Sequence, residues 1–157
     1  MDELFLYRLS RLQAVAVAPV GRLSQDRYGI SRREWRLIVV LARHGPMLSS
    51  ELADQAQLDR ARTSRVVTAL ADMKLLSREV IPSDRRQARV SLTEKGRALY
   101  DEFLPVVVEL NRQLLLELGP EEIEQLDQLM DRLAARAKAN LAALDLPKMP
   151  RSRPSRR

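Results

Sequence analysis

Between residues 59 and 74 the chain carries Arg60, Arg62, Ser64, Arg65 and Thr68 opposite an apolar stripe of Val66, Val67, Leu70 and Met73. At 3.6 residues per turn the stripe faces a core, and the polar set, with Ala61 and Ala69, faces outward. Guanidinium and hydroxyl groups on an exposed helix suit hydrogen bonding to base edges and phosphates in the major groove of duplex DNA. The first turns of such a helix meet the bases, so Arg62 and Ser64 are candidates for base readout and Arg65 for phosphate. Ser49, at the start of the preceding helix, joins Arg60 and Thr68 as a further candidate contact. A second basic group, Asp84-Arg85-Arg86, falls in the polar turn 82–87. An arginine there can enter a narrow minor groove, where the negative potential is strong. The neighbouring aspartate can hold its guanidinium by bidentate pairing. Taken singly, these are an ordinary amphipathic helix and a charged turn; their order along the chain carries the DNA reading.

The elements that must position them can be read from periodicity. Residues 3–26 are helical in pattern, with Pro19 set to kink or divide the helix. Ser31 and Glu34 form a capping-box pair for the next helix, which stops near His44-Gly45-Pro46. A short helix from Ser49 or Ser50 to about Gln55, a turn at Gln57-Leu58, and a helix from Asp59 to about Lys74 follow. The period then changes: 77–81 and 88–92 have strand composition, so 77–92 reads as a β-hairpin. Thr93 caps a long helix to about residue 118, interrupted in pattern at Pro105. Gly119-Pro120-Glu121-Glu122 restarts the chain as a last helix with a leucine stripe to residue 144. Residues 147–157 have little to bury and are expected to be a disordered basic tail. Short helix, tight turn, helix and hairpin in that order describe a winged helix-turn-helix. The fold class expected is mainly α with a small β-wing, as one domain over 1–146 with its DNA-binding lobe at about 31–92.

Charge and composition narrow the function further. Residues 60–97 hold 10 basic and 4 acidic side chains, whereas 98–146 hold 4 and 10. A basic segment inside a folded domain points to a polyanion. With no cysteine and His44 as the one histidine, disulfides and a zinc centre are excluded on sequence grounds. The five glycines are scattered at turns, so no phosphate-cradling loop is present, and no catalytic constellation or cofactor motif is found. The longest apolar run falls far short of a membrane span. Met1-Asp2-Glu3 lacks the basic start of a signal peptide, so the expected location is the cytoplasm.

Three stretches together resemble the MarR family of winged helix-turn-helix transcriptional regulators: Gly45 to Ala53, Thr63 to Leu70, and Asp84-Arg85-Arg86 running on through Val90 to Arg97. The likeness runs from about Leu4 to Leu144. It implies that Asp84 and Arg86 are the wing's Asp and Arg, and that Arg65 is the family's recognition-helix arginine. It also implies a homodimer in which helices 3–26 and 93–144 serve dimerisation, an operator with two-fold symmetry, and repression relieved by a small ligand. The leucine stripes over 4–23 and 123–144 support a dimer on their own, being more than one small lobe can cover. An arginine beside an aromatic wall suits an aromatic carboxylate, so Arg8, Arg11, Ser31, Trp35 and Arg36 are the candidate effector contacts. The basic tail is a candidate for sequence-independent phosphate contacts. One departure stands out: Lys74 occupies the place where the family usually has glycine, and a shifted helix end is expected there. The alternative function is an architectural protein that binds DNA with little sequence preference.

Overall fold

The computed structural model describes residues 4–81 and 84–144, without the side chains of residues 84–86. Met1-Asp2-Glu3 and the tail 147–157 lie outside the described residues. Seven helices and a small sheet are described: α1 (Phe5–Ala16), α2 (Ala18–Tyr28), α3 (Arg32–His44), β1 (Met47–Leu48), α4 (Ser49–Ala56), α5 (Arg60–Asp72), β2 (Leu76–Ile81), β3 (Asp84–Leu92), α6 (Glu94–Leu114) and α7 (Pro120–Ala143). The chain divides into two compact units after Leu114.

The first unit holds the core. Its first helical stretch is divided just before Pro19, as its missing N–H and ring demand, and Gly29 ends α2 in the left-handed region at φ 66°. Ser31 then caps α3: its hydroxyl accepts from the Glu34 N–H, and the Glu34 carboxylate accepts from the Ser31 N–H. Trp35, Leu37, Ile38 and Leu41 of α3 are buried. They meet Leu52 and Ala56 of α4, Val67 and Leu70 of α5, Val90 of β3, and Tyr100 and Phe103 of α6. Phe103 is fully buried, edge-on to Tyr28 and Trp35 at centroid distances of 5.4 and 4.8 Å, while Trp35 stacks on Tyr100 at 5.7 Å. Such pairs add to burial because ring edges and faces carry opposite partial charge.

The sheet is antiparallel in the order β1-β3-β2. β1 is a two-residue strand with no periodicity to reveal it; it exists because Met47 and Leu48 pair with Val90 and Arg89. The second strand of the hairpin is longer than the sequence suggests. Leu76 pairs with Leu92 and Val80 with Ala88, and a register shift after Val80 brings Ile81 opposite Asp84. Residues 84–87, expected in the turn, therefore belong to β3. A bulge absorbs the extra residues while the ladder continues.

The turn from α5 into β2 also corrects an expectation. No shifted helix end relieves Lys74; it takes the left-handed conformation itself, at φ 60°. The start of α6 holds it there. The Thr93 hydroxyl donates to the Lys74 and Leu75 carbonyls at 2.7 and 3.1 Å and accepts from the Gly96 N–H. Lys95 Nζ donates to the Met73 carbonyl at 3.0 Å. Gly96 packs so closely that a Cβ there would lie 2.1 Å from the Leu75 carbonyl oxygen.

α1 buries none of its residues and leaves Phe5, Leu6, Tyr7, Leu9 and Leu12 exposed. In the second unit, α7 starts after Gly119, whose N–H donates to the Glu122 carboxylate at 2.8 Å. It likewise has no buried residue, with Leu126, Leu129, Met130, Leu133 and Leu141 exposed. No helix among the described residues is long and apolar enough to cross a membrane.

Opposite effects are expected on the two sides of the contact between the α5–β2 turn and α6. Gly96→Ala forces backbone apart and lowers unfolding stability by roughly 1–3 kcal/mol. Lys74→Gly removes the left-handed penalty and raises stability by up to about 1 kcal/mol. Urea unfolding of both variants reads the two signs.

Candidate DNA interface

Asp59 starts α5. Its Oδ1 accepts from the Arg62 N–H at 2.7 Å, which satisfies one of the helix's unpaired amides. Its Oδ2 lies 3.0 Å from Arg62 Nε. Thr63, the next residue, is turned into the core and donates to the Asp59 carbonyl. With Val67 and Leu70 it forms the buried side of α5. Arg60, Ala61, Arg62, Ser64, Arg65 and Thr68 are all exposed on the other side, and only Ala69 of the expected outward set is half-buried. Thr68 donates its hydroxyl hydrogen back to the Ser64 carbonyl at 3.0 Å.

The helix before α5 is oriented by Glu51, whose carboxylate accepts from the Leu48 N–H at 2.8 Å. Leu48 belongs to β1, so the start of α4 is tied to β3 through the sheet. The α4–α5 turn is made by Gln57 in the left-handed region at φ 53°. Arg36 of α3 steadies its near side by donating to the Ala56 carbonyl at 3.2 Å.

Between the start of α4, the exposed side of α5 and the hairpin lies a groove of about 530 Å³. Ser49, Ser50, Arg60, Ser64, Arg78 and Gln87 line it. The groove thus unites Ser49, Arg60 and Ser64 of the sequence-derived set, with Arg62, Arg65 and Thr68 on the same helix beside it. The side chains of Asp84, Arg85 and Arg86 lie outside the described residues; their backbone forms the start of β3. Arg78 and Gln87 were not among the residues singled out from sequence. Strand alternation points to Arg78: it lies two residues beyond buried Leu76, on the same strand face, where the core gives way to the groove.

The five residues suggested for an effector are not brought together. Trp35 is a core residue, stacked on Tyr100 and edge-on to Phe103, where its apolar ring is removed from water. The Arg36 guanidinium is turned to Ala56, and the Ser31 hydroxyl caps α3. Arg8 and Arg11 are exposed on α1, Arg11 lying 5.8 Å from the Tyr7 ring centre. Of the five, Ser31 alone borders a described groove, an open one of about 530 Å³ shared with Arg22, Gln25, Asp26 and Arg32. Among the described residues no cluster of three or more metal-ligating side chains is present.

A tight helix-turn-helix followed by a two-stranded wing, with arginines and serines along the second helix, defines a winged helix-turn-helix DNA-binding protein. Residues 28–87 match the MarR family. A homoprotocatechuate degradative operon repressor of Escherichia coli is 28% identical over 109 residues, which span 69% of this chain and 74% of that protein. A MarR family regulator of Streptomyces coelicolor, solved in complex with DNA, superposes with a TM-score of 0.75 at 26% identity, covering 85% of each chain. NadR in complex with 4-hydroxyphenylacetate superposes at 0.70 with 26% identity, covering 85% of this chain and 94% of that one. Part of the chain thus matches the MarR family, and its fold is that of MarR family regulators of transcription, one of them solved on DNA.

Arg78→Ala should weaken binding to all duplexes alike and lower the slope of log affinity against log salt by about 1, the signature of one lost phosphate contact. Titrations of a labelled duplex at several salt concentrations measure both quantities.

Proposed function

We propose that this regulator is a cytoplasmic repressor that binds a palindromic operator as a homodimer and is released by a small aromatic acid. The observation that carries the reading is the groove joining Ser49, Arg60, Ser64 and Arg78 beside the exposed side of α5. A helix bearing Arg62 and Ser64 in its first turns is suited to base edges, with Arg65, Thr68 and Ser49 on the flanking phosphates. By its resemblance to the family's wing motif, Arg86 would enter the adjacent minor groove, with Asp84 and Arg85 next to it in the sequence. The exposed apolar residues of α1 and α7 supply two surfaces for a second copy. A two-fold dimer places two recognition helices on half-sites about one DNA turn apart.

An aromatic acid suits both the relatives and the surface. One relative's name refers to homoprotocatechuate degradation and one structural neighbour holds 4-hydroxyphenylacetate. Arg8 and Arg11 on α1, and the Ser31 groove with Arg22 and Arg32, offer the cations that a carboxylate needs.

Fluorescence anisotropy at about 150 mM salt against the upstream intergenic duplex and a scrambled control tests the main reading. A preference of ~10³-fold or more is expected, with two chains bound per operator. Tight binding to both duplexes alike would replace this reading with the architectural one. A panel of hydroxylated phenylacetates and benzoates, added to the protein–operator complex, is expected to contain at least one compound that lowers the anisotropy. A panel without any response would remove the effector reading.

A further inference from the structure

Resting on the reading of α5 as the recognition helix, we propose that Asp59 is a specificity-determining positioning residue that presents Arg62 to a base pair. The carboxylate binds the same residue twice. Oδ1 accepts from the Arg62 main-chain N–H at 2.7 Å, and Oδ2 forms an ion pair with the side-chain Nε at 3.0 Å. The hydrogen bond fixes where α5 starts; the ion pair draws the guanidinium back toward that start and biases the direction in which it leaves the helix. The ion pair lies at Nε, so the two terminal nitrogens keep their four N–H donors, the pair a planar fork uses on adjacent acceptors of one base.

The pair's exposure shows that stability is not its main product. The Arg62 and Asp59 side chains are 58% and 53% exposed, and ion pairs so open to water contribute little to folding. What the pair does supply is order. A free arginine side chain samples many rotamers and loses that freedom on binding, so a guanidinium already held in place binds its target at a lower entropic cost. Asp59 also sets a negative charge at the tip of a helix otherwise rich in arginine. Against bare phosphate that charge is repulsive, so a register in which Arg62 finds no acceptor on a base is penalised. Discrimination rises through the penalty on wrong sites as well as through the contact at the right one. Arg60 and Arg65 have no ion-pair partner among the described residues, which leaves them to phosphate. Arg62 is the arginine of α5 whose direction is set from within the helix.

The test uses full-length protein and a duplex that the wild type selects from a randomised pool, together with all single-base-pair variants of that duplex. Asp59→Asn retains an oxygen able to cap α5 and removes the charge that holds the guanidinium. Asp59→Ser does the same with a shorter side chain. Arg62→Ala is expected to flatten discrimination at one position in each half-site by roughly 10-fold or more. Both Asp59 variants are expected to keep the wild-type melting temperature within ~2 °C and to flatten the same position by at least ~3-fold. They are expected to gain affinity for random duplex, and to add nothing when combined with Arg62→Ala. Wild-type discrimination in the cap-retaining variants, alongside a loss in Arg62→Ala, would overturn the positioning role and leave the DNA face standing. Unchanged discrimination in Arg62→Ala itself would overturn both.

Discussion

The hydroxyl of Thr93 sits where three parts of the lobe meet, and the rest of the arrangement depends on it. It donates to the Lys74 and Leu75 carbonyls and accepts from the Gly96 N–H. That one group joins the turn between α5 and β2 to the first turn of α6. Its geometry demands glycine at 96, because no side-chain carbon fits against Leu75. It also explains how a lysine is tolerated at φ 60°: the carbonyls on either side of the strained turn are held by partners from α6, so the local penalty is over-determined by its surroundings. Shorten or loosen this joint, and α5 and the wing lose their fixed angle to each other.

The surface proposed to face DNA is built outward from that joint by short polar contacts. Asp59 begins α5, Glu51 begins the helix before it, and Arg36 closes the carbonyl end of α4. Each is a charged group satisfying backbone that would otherwise be left unpaired at a helix end. The arginines and serines that remain exposed are therefore presented from a frame whose own hydrogen bonds are already made.

Much of this frame is legible in the sequence. The spacing of Val66, Val67 and Leu70 gives the buried side of α5, and Ser31 with Glu34 gives the start of α3. The division near Pro19 follows from the missing N–H of proline. What is not legible depends on long-range pairing. β1 has two residues, too few for any period, and the extension of β3 back to Asp84 follows from a bulge that only the partner strand makes visible. Trp35 shows the same limit at the level of a single residue. Its indole is equally at home in a ligand site and a core, and only the arrival of Tyr100 and Phe103 from a helix 65 residues later decides between them. Thr63, polar by type, is buried because its hydroxyl finds the Asp59 carbonyl one turn back.

That placement of Trp35 has an optical consequence. It is the chain's single tryptophan, shielded from water and wedged where α3 meets α6, with Phe103 linking it to Tyr28 of α2. Its emission reports one location and no other. The molecule thus carries an intrinsic, label-free gauge of how three helices pack.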